Sequence, residues 1–158
     1  MHKALMAQYQ LVVSARHVLF AYCHSMQPAD MLKPIPQFNN SSINSLLVHN
    51  ANTYVHWLIK VAAQRQFDFF EDKDISITAI EKIYAIVDQT VADFLLQFEE
   101  TLDVAIPFSI PGKGFQLTLS PLQLFTHVIT HEFHHKGQIL TMSRTLGYTP
   151  IDTDIIRT

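Results

Sequence analysis

The sequence predicts an all-α, up-down four-helix bundle with a small β-hairpin before the last helix. Three observations lead there. Apolar residues recur near 3.6-residue spacing in four long segments. Prolines and capping residues fall at the edges of those segments or between them. Only 4 of 158 residues are glycine, and none precedes Gly112. That scarcity excludes a dinucleotide fingerprint or phosphate loop over most of the chain, and it leaves few turns for a sandwich or barrel.

The first helix is expected from about Ala4 to Met26, where Leu5, Leu11, Val12, Ala15, Leu19, Tyr22 and Met26 keep the helical period. Pro28, Pro34 and Pro36 then forbid continuation and predict an extended loop. Ser41 and Ser42 are candidate caps for a second helix over Ile43 to about Gln66. A third is expected to start at Thr78, where Thr78 and Glu81 have capping-box spacing, and to reach about Leu102. Val104–Ser109 and Phe115–Leu119 flank the turn sequence P-G-K-G and read as a hairpin. The fourth helix has the sharpest limits: Ser120 as cap, Pro121 at the first position, Gln123 closing the box, Gly147 and Pro150 beyond Leu146. Long helices joined this way form a bundle that builds its sites from facing side chains.

A chain of this length is expected to be one domain, residues 1–158, burying roughly two thirds of its unfolded surface. Charged residues make up only 16%, against a usual share of about 25%, which points to surface hidden in an oligomer. Eleven basic residues stand against 14 acidic ones without a basic cluster, so nucleic acid is not an expected partner. Cys23 is the sole cysteine, which excludes an intrachain disulfide and suits a reducing interior. Neither a signal-peptide pattern nor an apolar run of about 18 residues is visible. A soluble, cytoplasmic protein with no membrane partner is the expectation.

Nine histidines remain to be explained. His127, His131, His134 and His135 fall within a sector of about 100° on the fourth helix. His131 and His135 stand one turn apart and can aim ring nitrogens at one ion. On the second helix His49 and His56 are seven residues apart and share a face, so only one of them is expected to reach the same ion. Random placement of nine histidines gives about 0.5 H-x-x-x-H pairs, and the chain has two. Spacing alone leaves a metal site and a hydrogen-bonded or solvent-facing histidine stripe both open.

The string from His131 to His135 also satisfies H-E-x-x-H, which would make Glu132 the base of a zinc peptidase. The sequence around it argues against that. Gln138 and Thr141 stand where the extended motif has glycine and histidine, and no glutamate follows Glu132. Glu132 is also about 100° from His131 around the helix and is expected to point elsewhere.

T-H-E-F-H-H-K-G-Q-I, from Thr130 to Ile139, resembles the signature helix of the DinB/YfiT-like metal-binding bundle proteins. There the pattern reads roughly His-x-x-His-His-Arg-Gly-Gln. S-I-N-S-L-L-V-H-N-A-N-T-Y-V-H-W-L, from Ser42 to Leu58, is similar to the second helix of the same family. The resemblance spans essentially the whole chain, including the long first loop and the L-G-x-x-P ending at Leu146–Pro150.

It implies a divalent-metal site made by His49, His131 and His135, with zinc or nickel as the ion, and a homodimer. It further implies a metal-dependent transferase using a low-molecular-weight thiol, or a hydrolase, acting on a small-molecule substrate. A non-catalytic bundle stabilised by metal, or a small-molecule binding module without metal, is the alternative. Two departures stand out. Lys136 replaces the usual arginine, which loses the bidentate fork, and the first helix lacks the family's frequent tryptophan.

Among the neighbours, His134 is expected near the ligands, at an interface, or as a core histidine bonded to a carbonyl. Gly137 invites a close helix approach or is a tolerated defect. Gln138 either bonds a ligand ring or faces solvent. His56 and Trp57 read as packing, and Phe67, Phe69 and Phe70 as core or interface residues.

Overall fold

After the first helix, serines and prolines set where the α-helices begin in the computed structural model, which describes residues 1–73 and 75–157. α1 spans His2–His24, two residues earlier at each end than its apolar period predicts. The proline segment is not wholly extended. Pro28 opens a short helix, α2 (Pro28–Met31), and Pro36 opens a 3₁₀ turn over Pro36–Phe38. A proline at the first helical position loses nothing, because its missing N–H would be unpaired there anyway. An isolated bridge between Ile35 and Ser41 closes the loop.

Ser42 caps α3 (Ile43–Tyr54) in a reciprocal box: its Oγ accepts the Ser45 N–H, and the Ser45 Oγ accepts the Ser42 N–H. The helix then widens into a π-helix over Val55–Ala62 and stops four residues short of the expected Gln66. α4 spans Ile77–Gln97, and its cap is Ser76, whose Oγ accepts the Ala79 N–H. The Thr78–Glu81 box predicted from spacing does not form, because Thr78 already lies inside the first turn. Beyond Gln97 the chain makes tight turns, and the buried Leu102 accepts the Leu122 N–H at 2.8 Å through its carbonyl.

The strands are shorter than predicted. β1 (Ile106–Ser109) pairs antiparallel with β2 (Gln116–Leu119), from Ile106 opposite Leu119 to Ser109 opposite Gln116. α5 (Pro121–Thr145) begins with the expected Ser120–Gln123 box. Gly147 ends it at φ +93°, a conformation that favours glycine.

The main contacts run α1–α4, α4–α3, α3–α5 and α5–α1, a helical bundle with its hairpin before the last helix. The bundle helices α1 and α3, and likewise α4 and α5, follow one another in the chain yet sit diagonally, which is why their connections are long. The apolar core holds Leu47, Leu58, Ile80, Leu95, Phe125 and Met142, all essentially inaccessible. No helix among the described residues is long and apolar enough to cross a membrane.

One polar cluster lies within this apolar interior. Arg16 on α1 is 2% exposed and grips both oxygens of Glu132 on α5, Nε to Oε1 at 2.7 Å and Nη2 to Oε2 at 2.9 Å. Its Nη1 donates to Asp88 on α4 at 2.6 Å, and Tyr54 on α3 donates to Glu132 Oε2. Tyr9 donates to Asp88, and the guanidinium lies 4.5 Å from the Tyr84 ring centre. Four helices therefore meet at the Arg16–Glu132 pair. Burial works against the Arg16 charge, but the Glu132 carboxylate outweighs it and holds the guanidinium pKa above its usual value.

Candidate metal centre

His131 and His135 stand one turn apart on α5 and turn the same way, so their Nε2 atoms face each other at 3.1 Å. The His135 Nδ1 lies 2.7 Å from Gln138 Oε1. A carbonyl oxygen only accepts, so Nδ1 carries the proton and the His135 Nε2 lone pair points inward. Gln138 thus takes the first of its two expected roles. His49 completes the cluster from α3, its ring centre 4.9 Å from that of His135 and 5.4 Å from that of His131. One ligand atom from each of the three lies within 4.8 Å of the others.

This donor set fits a divalent ion. With metal–nitrogen bonds near 2.0–2.1 Å, two ligand nitrogens stand roughly 3.0–3.4 Å apart, and the 3.1 Å separation falls in that range. Burial, then the neighbouring histidines His135, His127, His49 and His134, push the His131 pKa down to about 4. Burial also lowers His135, against the opposing bond to Gln138. Both rings are neutral near pH 7, the form that ligates metal.

The other histidines stay outside the cluster. His134 is exposed, with its ring 5.0 Å from His135, so it is a neighbour and not a core residue. His127 is exposed and meets the edge of Trp57 at 5.2 Å. His56 is half-buried beside Trp57, and burial followed by the Lys60 charge lowers its pKa.

Glu132 points into the core, as its angle predicts, and Arg16 and Tyr54 occupy its oxygens. It is not placed to act as the base of an H-E-x-x-H peptidase. Lys136 is buried, donates to the Thr153 carbonyl at 2.6 Å, and lies over the Phe133 ring. A lysine suits this position because it ties down the C-terminal segment through one point donor. Gly137 is exposed, and a Cβ there would meet nothing within 4 Å, so no described helix approaches it closely.

Beside the three histidines lies an open cleft of about 380 Å³, lined by His49, Asn52, Thr53, His56, Trp57 and Phe69. His56 and Trp57 therefore border open space in addition to packing. Phe69 is 47% exposed, whereas Phe67 and Phe70 are half-buried with ring centres 5.6 Å apart. Spacing gave no sign of the Arg16 cluster or of this cleft. The available signal was a lone arginine on the apolar stripe between Val12 and Leu19.

Comparison with known proteins gives one family. The DinB family profile matches residues 1–158, the whole chain. No curated protein matches the sequence.

Proposed function

The chain belongs to the DinB family, and on that footing we propose that it is a metal-dependent enzyme centred on His49, His131 and His135. It acts as a transferase using a low-molecular-weight thiol, or as a hydrolase, on a small-molecule substrate. The observation that carries this reading is the facing Nε2 pair beside His49, with the outer nitrogen of His135 held by Gln138. A divalent ion held there, zinc or nickel, would supply Lewis acidity that makes a water or thiol a stronger nucleophile at neutral pH.

The protein's own part is orientation and access. Gln138 fixes the tautomer and ring plane of His135, the usual task of a group behind a ligand. His131 stays neutral because its surroundings disfavour the imidazolium. Exposed His49 leaves the cluster open on the cleft side. Three protein ligands with an open position is the catalytic pattern, not the closed structural one.

Metal analysis of protein purified without an affinity tag tests the centre. About one divalent ion per chain is expected, with loss of most of it in a His131→Ala variant. Substoichiometric metal that does not fall in that variant removes the site. Thiol-transfer and hydrolysis assays on loaded and chelated protein then separate enzyme from non-catalytic bundle. The second reading, an ion that serves folding, draws support from ligands lying on two helices, α3 and α5, which an ion would cross-link. The proposal includes a homodimer in a reducing cytoplasm. Sparse charge and the buried single thiol of Cys23 support this, and sedimentation checks the dimer.

A further inference from the structure

Phe69 is a large apolar side chain held in the open by specific bonds. The segment after the π-helix has no regular structure through residues 66–70, yet α3 and the π-helix fix it at three points. The Asn52 Nδ2 donates to the Phe70 carbonyl and its Oδ1 accepts the Phe70 N–H, both at 2.9 Å. Lys60 Nζ donates to the Phe67 carbonyl at 3.2 Å and sits 4.3 Å from the Phe69 ring centre. Phe69 is thereby set against His56, at 6.4 Å between ring centres, and His56 against Trp57 at 4.9 Å. These three rings and the ligand residue His49 border the same cleft.

The amide and hydroxyl groups around the cleft are already engaged. Both ends of the Asn52 amide serve Phe70, and the Thr53 hydroxyl donates to the His49 carbonyl at 3.1 Å. The Lys60 ammonium bonds a carbonyl and faces a ring, and it does not line the cleft. What the cleft offers a ligand is chiefly ring surface, the faces of Trp57 and Phe69 with the imidazoles of His49 and His56, in a volume of about 380 Å³ that falls within the usual small-molecule range of roughly 300–1,000 Å³. We infer that the cleft between Trp57 and Phe69 binds an uncharged aromatic group of a small molecule and presents it beside His49. Asn52 and Lys60 are positioning residues that hold the Phe69 wall. Only the identification of this ligand as a substrate rests on the metal-centre reading.

Trp57 is the chain's sole tryptophan and lines the cleft, so its emission reports occupancy directly. The probes are benzyl alcohol, cyclohexylmethanol and inorganic phosphate, titrated into both chelated and metal-loaded protein. Saturable change is expected with benzyl alcohol in both forms, weaker binding with the aliphatic ring, and none with phosphate. Phe69→Ala is expected to weaken benzyl alcohol binding about two- to tenfold, the factor an aromatic pair carries, with Phe69→Tyr restoring it. The exposed ring can be removed without opening the core, and circular dichroism checks that.

Three results overturn the inference: no saturable response, equal response to all probes, or unchanged affinity in Phe69→Ala. Emission that shifts with protein concentration alone also overturns it, because a second copy would then fill the cleft. Probe binding by a protein that takes up no metal on loading would sink the metal centre and leave the cleft standing. Bound metal without probe binding would do the reverse.

Discussion

Glu132 lies between two candidate ligands in sequence but belongs to the core in space. Helical geometry separates it from its neighbours by about 100° per residue, and Arg16 holds it there through two parallel bonds. Breaking a buried pair by changing one partner costs about 3–5 kcal/mol, because the other charge is left without compensation. Glu132→Gln should therefore unfold at markedly lower denaturant, by roughly 3 kcal/mol, while its folded form keeps the metal content of the parent. Equilibrium denaturation with metal analysis on the same samples checks both. A variant as stable as the parent that loses only peptidase or hydrolase turnover would return Glu132 to the reacting site.

At the scale of the elements, what could be read from the chain followed local chemistry, and what could not depended on competition between nearby candidates. The Ser120 box was legible because cap, proline and glutamine fall in register with no rival. At α4 two hydroxyl residues, Ser76 and Thr78, compete. The tertiary fold selects the earlier one, whose backbone is extended at φ −81°, ψ 157°. Ser76→Ala should destabilise the protein by about 1 kcal/mol and Thr78→Ala by far less. Denaturant midpoints of the two variants measure the difference, and a larger cost at Thr78 would restore the cap predicted from spacing. The π-helix escaped notice for a different reason. Buried Val55, Leu58, Ile59 and Ala62 recur at i, i+3, i+4 and i+7 as in an ordinary α-helix, so the apolar period does not betray the wider turn. π-turns are frequent at functional sites, and this one carries His56 and Trp57 beside the cleft. The pair His131 and His135 was legible from its four-residue spacing, but the choice of His49 over His56 needed the resemblance. Nothing local says which of two residues seven apart will meet a neighbouring helix.

Across the whole molecule, the helices are joined by two different kinds of centre. The Arg16 cluster draws on α1, α3, α4 and α5 and lies within the core. The three histidines draw on α3 and α5 alone and include the exposed His49. If the ion were needed for folding, it should sit where contacts are otherwise missing, but α3 and α5 already pack along their length through apolar side chains. The chelated protein should therefore unfold cooperatively, and metal should only add stability by mass action. At free metal about a hundredfold above the dissociation constant, the gain is about 2.7 kcal/mol. For a chain of this size that raises Tm by roughly 5–10 °C. Calorimetry on chelated and metal-loaded samples reads this, and the increment should vanish in His131→Ala. Loss of the cooperative transition on chelation would instead make the ion a part of the fold, in the manner of small metal-stabilised domains. A preserved transition with a metal-dependent increment describes a bundle that is complete before the ion arrives. In such a bundle the histidines are free to serve binding and chemistry at the edge of the cleft.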